Sequence, residues 1–133
     1  MRFLSWDEFN VCIKTISQAC RDENYLGVYG VPRGGLCLAV ALSHSLGIPL
    51  LLEPRPRSLV VDDVYETGMT LSNYRELPGS RCFVWLSKSK PDWWHAFEVT
   101  NSKEWIIFPW ENVSKSLIEE KTFRASRTFH HEI

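Results

Sequence analysis

Residues 59–70 read Leu-Val-Val-Asp-Asp-Val-Tyr-Glu-Thr-Gly-Met-Thr, and this run narrows the possible folds more than any other stretch of the chain. Leu59, Val60 and Val61 are apolar and mostly β-branched, the pattern of a strand buried on both faces, as in a parallel sheet. Asp62 and Asp63 stand where such a strand should leave the sheet. Adjacent carboxylates repel unless a cation or a hydrogen-bond donor lies between them. Thr67, Gly68 and Thr70 follow with hydroxyls and a permissive backbone, ahead of a helix expected over Thr70–Leu77. Successive backbone N–H groups at a helix start bind phosphate. Acids for hydroxyls or a metal, beside donors for a phosphate, point to a sugar phosphate. The plain alternative is a decorated strand–helix turn.

The rest of the chain alternates in the same way. Ser5 and Glu8 have the spacing of a capping box, and Phe9, Cys12, Ile13, Ile16 and Cys20 follow at helical intervals. A strand is expected over Tyr25–Tyr29, a loop over Gly30–Gly35, and a helix over Leu36–Leu46 that stops at Gly47. Further strands are expected over Ile48–Leu52, Leu59–Val61 and Cys82–Leu86, with Pro78-Gly79 closing the intervening helix. Strands alternating with helices imply an α/β fold, a parallel sheet flanked by helices. Ligands of such sheets lie beyond the carboxyl ends of the strands, where the acids and glycines fall.

A chain of 133 residues is expected to form one domain. Its net charge of −1 provides no basic field for nucleic acid, and no apolar run is long enough to span a bilayer. With no signal-peptide pattern and four cysteines in apolar segments without metal-ligand spacing, the expected setting is the cytoplasm, with reduced thiols. His44 reads as a surface or satisfied histidine. Trp93 and Trp94 read as packing or as a contact between subunits of a homodimer or higher homo-oligomer, and the tail carrying Arg124, Arg127, His130 and His131 as a frayed end or a subunit contact.

Residues 59–70 resemble the signature of type I phosphoribosyltransferases: four apolar residues, two acids, three further residues, then Thr-Gly-x-Thr. Gly30-Val31-Pro32-Arg33-Gly34-Gly35 resembles the pyrophosphate loop of that family, which often reads Arg-Gly-Gly and frequently carries a cis non-proline peptide. Two such loops in the correct order are far more specific than either alone. The resemblance implies the type I fold with a small C-terminal hood, roughly residues 88–111. It implies phosphoribosyl pyrophosphate and a nucleobase as substrates, and Mg²⁺ held by Asp62 and Asp63 directly or through water. Arg33, Gly34 and Gly35 would then hold pyrophosphate, Asp62 and Asp63 the ribose hydroxyls, and Thr67, Gly68, Met69 and Thr70 the 5′-phosphate. Glu66 would act as general base, where the purine enzymes usually carry Asp.

The purine branch reads its base with a lysine after the next strand. Lys88 fills that place, with Lys90 as competitor, and either is otherwise a solvated lysine. Glu104-Trp105-Ile106-Ile107-Phe108-Pro109-Trp110-Glu111 resembles a hood segment of bacterial xanthine-guanine enzymes. By that likeness Trp105 stacks on a purine and the Ile106 backbone faces its C2 edge; otherwise Trp105 and Trp110 fill a core. The implied reaction is transfer of ribose 5-phosphate to a 6-oxopurine, with no choice made among guanine, xanthine and hypoxanthine. Two departures stand out. Ile107 replaces the family's Glu, for which Glu111 is only a loose substitute. Glu53-Pro54-Arg55-Pro56-Arg57-Ser58, too short for a mobile lid, joins strands between which the family places one. Without a lid, the alternative is a nucleotide- or phosphoribosyl-pyrophosphate-binding module with little or no turnover, unless Arg55 or Arg57 caps the pyrophosphate.

Overall fold

The computed structural model describes residues 1–132, with side chains through residue 126. The side chains of Arg127, His130 and His131, for which a subunit contact was one expectation, lie outside the described residues. In chain order the elements are β1 (Arg2–Phe3), α1 (Trp6–Cys20), β2 (Gly27–Gly30), α2 (Leu36–Leu46), β3 (Leu50–Leu51) and β4 (Ser58–Tyr65). A 3₁₀ turn (Leu71–Tyr74), β5 (Arg81–Ser87), β6 (His95–Val99), β7 (Ile106–Ile107) and α3 (Val113–Glu132) follow. The chain divides into two compact units, one of residues 10–102 and one joining residues 1–9 to residues 103–133.

The 10–102 unit is an α/β fold, a five-stranded parallel sheet of order β3-β2-β4-β5-β6 with helical cover. Val60, Cys82 and Val84 meet Tyr29, Val31, Leu71 and Trp94 in one buried cluster. On α1, all five apolar residues at helical spacing are buried, and Ser5 and Glu8 exchange the capping-box bonds at 3.1 and 2.8 Å. Helix α2 covers the span expected for it and ends at Gly47 in the left-handed conformation. The cysteines are free. Burial pushes the Cys12 and Cys82 thiols up to about 12 and Cys20 to about 11, which leaves them unreactive at neutral pH.

Three expectations need correction. Strand β4 does not stop at Val61: it pairs with β5 as far as Tyr65↔Ser87, so both acids belong to the strand. A ladder is made by backbone groups, and polar side chains at its end do not interrupt it. The helix expected over Thr70–Leu77 is only the 3₁₀ turn Leu71–Tyr74. Pro78 and Gly79 leave too few residues to repay helix nucleation. The donors of the Thr-Gly-Met-Thr loop are therefore backbone groups of a loop, without a helix dipole behind them. Finally, β3 is two residues long instead of five.

The connection from β3 to β4 is as short as its sequence indicates, and it is pinned. Arg57 donates its N–H to Pro78 O at 2.8 Å and accepts from Leu26 N at 2.7 Å, while Ser58 Oγ bonds Arg55 O. These bonds hold it beside the start of β2, at the amino edge of the sheet. That is the wrong edge for Arg55 or Arg57 to cap an anion at the Gly30–Gly35 loop.

In the other unit β1 and β7 pair in parallel, Arg2 with Ile106 and Phe3 with Ile107. Trp6, Phe9, Phe108 and Trp110 pack together, with Phe108 and Trp110 stacked at 5.1 Å. Trp110 is thus a packing residue. Among the described residues no helix is long and apolar enough to cross a membrane.

Candidate functional site

The carboxyl end of β2 and that of β4 are adjacent strand ends, and the two glycine-bearing loops leave from them. Val31 N–H donates to Val61 O at 2.9 Å, and Gly35 N–H returns to Val31 O at 2.8 Å, which folds residues 31–35 tightly against β4 at Val61–Asp63. The Pro32–Arg33 peptide is cis, as the resemblance anticipated. Gly34 then lies directly on Asp63: a Cβ at Gly34 would sit 2.1 Å from Asp63 Oδ2. Any side chain at residue 34 would displace that carboxylate. Glycine is required here by a neighbour in space, not by its own dihedral angles. Arg33 is exposed at the tip of the loop.

Asp62 and Asp63 are held by the backbone they belong to. Asp63 N–H donates to Asp62 Oδ1 and Val64 N–H to Asp63 Oδ1, each at 2.8 Å. Burial, the charge of Asp63 and a hydrogen bond between the two carboxyls raise the Asp62 pKa. Burial raises that of Asp63 as well, opposed by the bonds from Asp62 and Val64. Neither has an ion pair among the described residues, so the pair is short of positive charge. Among the described residues, no group of three acidic, histidine or cysteine side chains could enclose a metal.

Beyond the acids, residues 62 and 64–71 line a cavity of about 120 Å³. Small-molecule sites usually measure about 300–1,000 Å³, so this one has the size for a single anionic group. Glu66 is a half-buried part of its wall, Thr67 and Thr70 are exposed on its rim, and the Met69 side chain points to solvent at 78% exposure. Met69 can therefore contribute only its backbone. Gly68 adopts φ +78°, and a Cβ there would fall 2.1 Å from the Tyr65 hydroxyl. Tyr65 in turn stacks on Trp94 at 3.7 Å and 13° between planes. Sequence reasoning passed over Tyr65. The sequence held no local signal for it, because the place of Tyr65 at the last position of β4 depends on pairing with β5.

Lys88 joins this edge through its backbone, donating N–H to Tyr65 O at 2.8 Å, while its Nζ donates to Ser102 O at 3.0 Å. Lys90 is exposed. The structure thus brings together Arg33, Gly34, Gly35, Asp62, Asp63, Glu66, Thr67, Gly68, Met69, Thr70 and Lys88 at one end of one sheet. Trp105 and Ile106 belong to the other unit. There the Trp105 indole donates to Ser116 Oγ at 2.9 Å and packs 5.8 Å from Phe123, and Ile106 is buried in the β1–β7 pair.

No family model and no curated protein matches the sequence. Solved structures do. Purine phosphoribosyltransferase from Pyrococcus horikoshii Ot3 is 26% identical over 84% of this chain and 94% of its own, with a TM-score of 0.69. Xanthine-guanine-hypoxanthine phosphoribosyltransferase of Helicobacter pylori is 19% identical over 89% and 98%, with a TM-score of 0.63. A Neisseria gonorrhoeae protein with bound ppGpp is 19% identical over 84% and 90%, with a TM-score of 0.64. The fold is that of the type I phosphoribosyltransferases.

Proposed function

We propose that the chain is a purine phosphoribosyltransferase, joining the ribose 5-phosphate of phosphoribosyl pyrophosphate to a 6-oxopurine and releasing pyrophosphate. The observation that supports this most is the seat of Gly34 on Asp63, which brings a pyrophosphate-type loop and a ribose-type acid pair within one contact. The likeness to the Pyrococcus purine enzyme supports the same class of substrate.

In this reading the loop of Arg33, Gly34 and Gly35 binds pyrophosphate, and Thr67 to Thr70 surround the 5′-phosphate with hydroxyl and backbone donors. Asp62 and Asp63 accept hydrogen bonds from the ribose hydroxyls. The bond from C1′ to the pyrophosphate oxygen breaks and a bond from C1′ to an imidazole nitrogen of the purine forms. Glu66 takes the proton which that nitrogen loses. Positive charge grows on the sugar meanwhile, and the two carboxylates stabilise it in place. Two carboxylates without a third protein ligand suit Mg²⁺, which keeps several waters and completes its shell with substrate phosphates. Bound there, it would neutralise charge on the pyrophosphate. The Lys88 ammonium, which can only donate, would donate to an exocyclic oxygen at purine C6.

One observation favours a second reading, a binding module with little or no turnover. The connection pinned by Arg57 at the amino edge supplies no cover for the reacting centre. The deciding assay supplies phosphoribosyl pyrophosphate, Mg²⁺ and, in turn, guanine, xanthine, hypoxanthine, adenine, uracil and orotate. Base-dependent product from guanine, xanthine or hypoxanthine, lost in Glu66→Gln, establishes the enzyme. Nucleotide binding by calorimetry without product establishes the module.

A further inference from the structure

The 10–102 unit holds a larger cavity of about 350 Å³, away from the acids, beside α1 and the amino ends of β5 and β6. Its walls include Ala19, Phe83, Trp94 and Phe97, and its polar edge is Arg81 with His95. The polar edge is organised. The Arg81 guanidinium lies 5.2 Å over the Phe83 ring, and its Nε and Nη2 stand 3.4 and 3.2 Å from His95 Nε2. The His95 ring stacks on the same Phe83 at 4.7 Å and 22°. An arginine only donates, so His95 Nε2 carries the lone pair and its proton sits on Nδ1. Partial burial and the neighbouring guanidinium hold His95 below its usual range, in keeping with a neutral ring. Arg81 and His95 therefore present N–H donors. The acid beside them, Glu23, is 3.5 Å from Arg81 Nη1 with its side chain 52% exposed. Such an exposed pair is weak and easily exchanged.

We propose that this cavity is a second small-molecule site, one that takes a flat aromatic carboxylate. Its volume lies within the range of ordinary ligand sites, and aromatic walls with a few convergent polar groups are their usual make-up. The ring of the ligand fills the space between Phe83 and Phe97. Its carboxylate meets the Arg81 fork, where a charge-assisted pair is stronger than the long contact to a neutral imidazole. A base or nucleotide at the carboxyl edge uses none of these residues except Trp94, which touches that edge by stacking on Tyr65 and by its indole N–H on Ser87 Oγ. This second site does not depend on the proposed transferase reaction.

The test is calorimetric titration of the full chain with 2-naphthoate and, as a neutral counterpart, 2-naphthamide. Wild type should bind naphthoate more tightly than naphthamide, and Arg81→Gln should weaken naphthoate by about tenfold or more with naphthamide little changed. Ala19→Leu, on the outer surface of α1, should fill the space and abolish both. It decides the matter alone should Arg81→Gln fail to fold. Guanosine monophosphate should not displace naphthoate. No naphthoate binding by wild type at millimolar concentration, binding that survives Ala19→Leu, or competition by the nucleotide would each overturn the proposal.

Discussion

Gly34 and Lys88 stand on neighbouring parts of one sheet edge, yet the structure accounts for them differently. Gly34 has no packing role that alanine could not fill, and it is glycine because Asp63 lies against it. Lys88 already has an acceptor in Ser102 O, as Trp105 has one in Ser116 Oγ within its own unit. On the side of the acid pair, the two buried carboxyls sit in an arrangement that costs stability. On the base side, the residues would be explicable with no ligand at all. The contrast separates what the fold needs from what a substrate would need.

The sharpest way to break this comparison is at the acids. Asp62→Asn should lower turnover by about 100- to 1,000-fold, the usual loss when a preorganised electrostatic group is removed. It should also stabilise the protein. The native carboxyls have raised pKa values, so above the unfolded value of 3.8 the native state holds protons that the unfolded chain has released. Stability contributed by this pair therefore falls as pH rises above 3.8. Asp62→Asn should flatten that slope and raise the melting temperature at pH 8 by a few degrees, about the shift expected for 1 kcal/mol in a domain of this size. A melting temperature that falls at pH 8 would remove the case for a strained pair.

Gly34→Ala is next. Displacing Asp63 should cost about 100-fold in turnover, the scale of a 1 Å misplacement, with the melting temperature little altered. Unaltered kinetics would show that the contact has no bearing on the site. Thr67→Ala and Thr70→Ala should each weaken nucleoside monophosphate binding by about tenfold, a lost hydrogen bond to a charged group. Equal affinity in calorimetry would end the phosphate assignment. Lys88→Ala should have the smallest effect, a loss of a few-fold in the preference for guanine over adenine nucleotides. If instead it lowers only stability, Lys88 is a structural lysine and the base side is built elsewhere.

Much of the local structure could be read from the sequence. The capping box of Ser5 and Glu8, the end of α2 at Gly47, and the β-branched start of β4 are each determined within a few residues, and each appears as expected. The loops followed from the same short-range logic, since Thr-Gly-Met-Thr and Arg-Gly-Gly carry their own backbone chemistry. What was not legible depends on distant partners. His95–Val99 joins the sheet because β5 offers it an edge, and Phe83↔His95 pairing leaves no mark in either segment alone. Nothing near Ile106 announces its pairing with Arg2. The strand end was misplaced for a similar reason: Asp62 and Asp63 look like a terminus, but their backbones have Val84 to Leu86 alongside. The tight fit of Gly34 on Asp63 required both loops at once.

The pinned connection between β3 and β4 has a consequence for time. A site covered by a moving loop binds in two stages, an encounter followed by closure on the microsecond-to-millisecond scale, and its observed rate levels off at the closure rate. With Arg57 tied to Leu26 and Pro78, this segment has no closed position to reach. Mixing the protein with a nucleoside monophosphate in stopped flow should give one exponential phase whose rate climbs linearly with concentration, with a slope in the ordinary range of about 10⁵–10⁷ M⁻¹s⁻¹. A plateau would mean that some other part of the chain moves. A straight line would describe a protein whose occupancy follows the ligand concentration around it almost without delay.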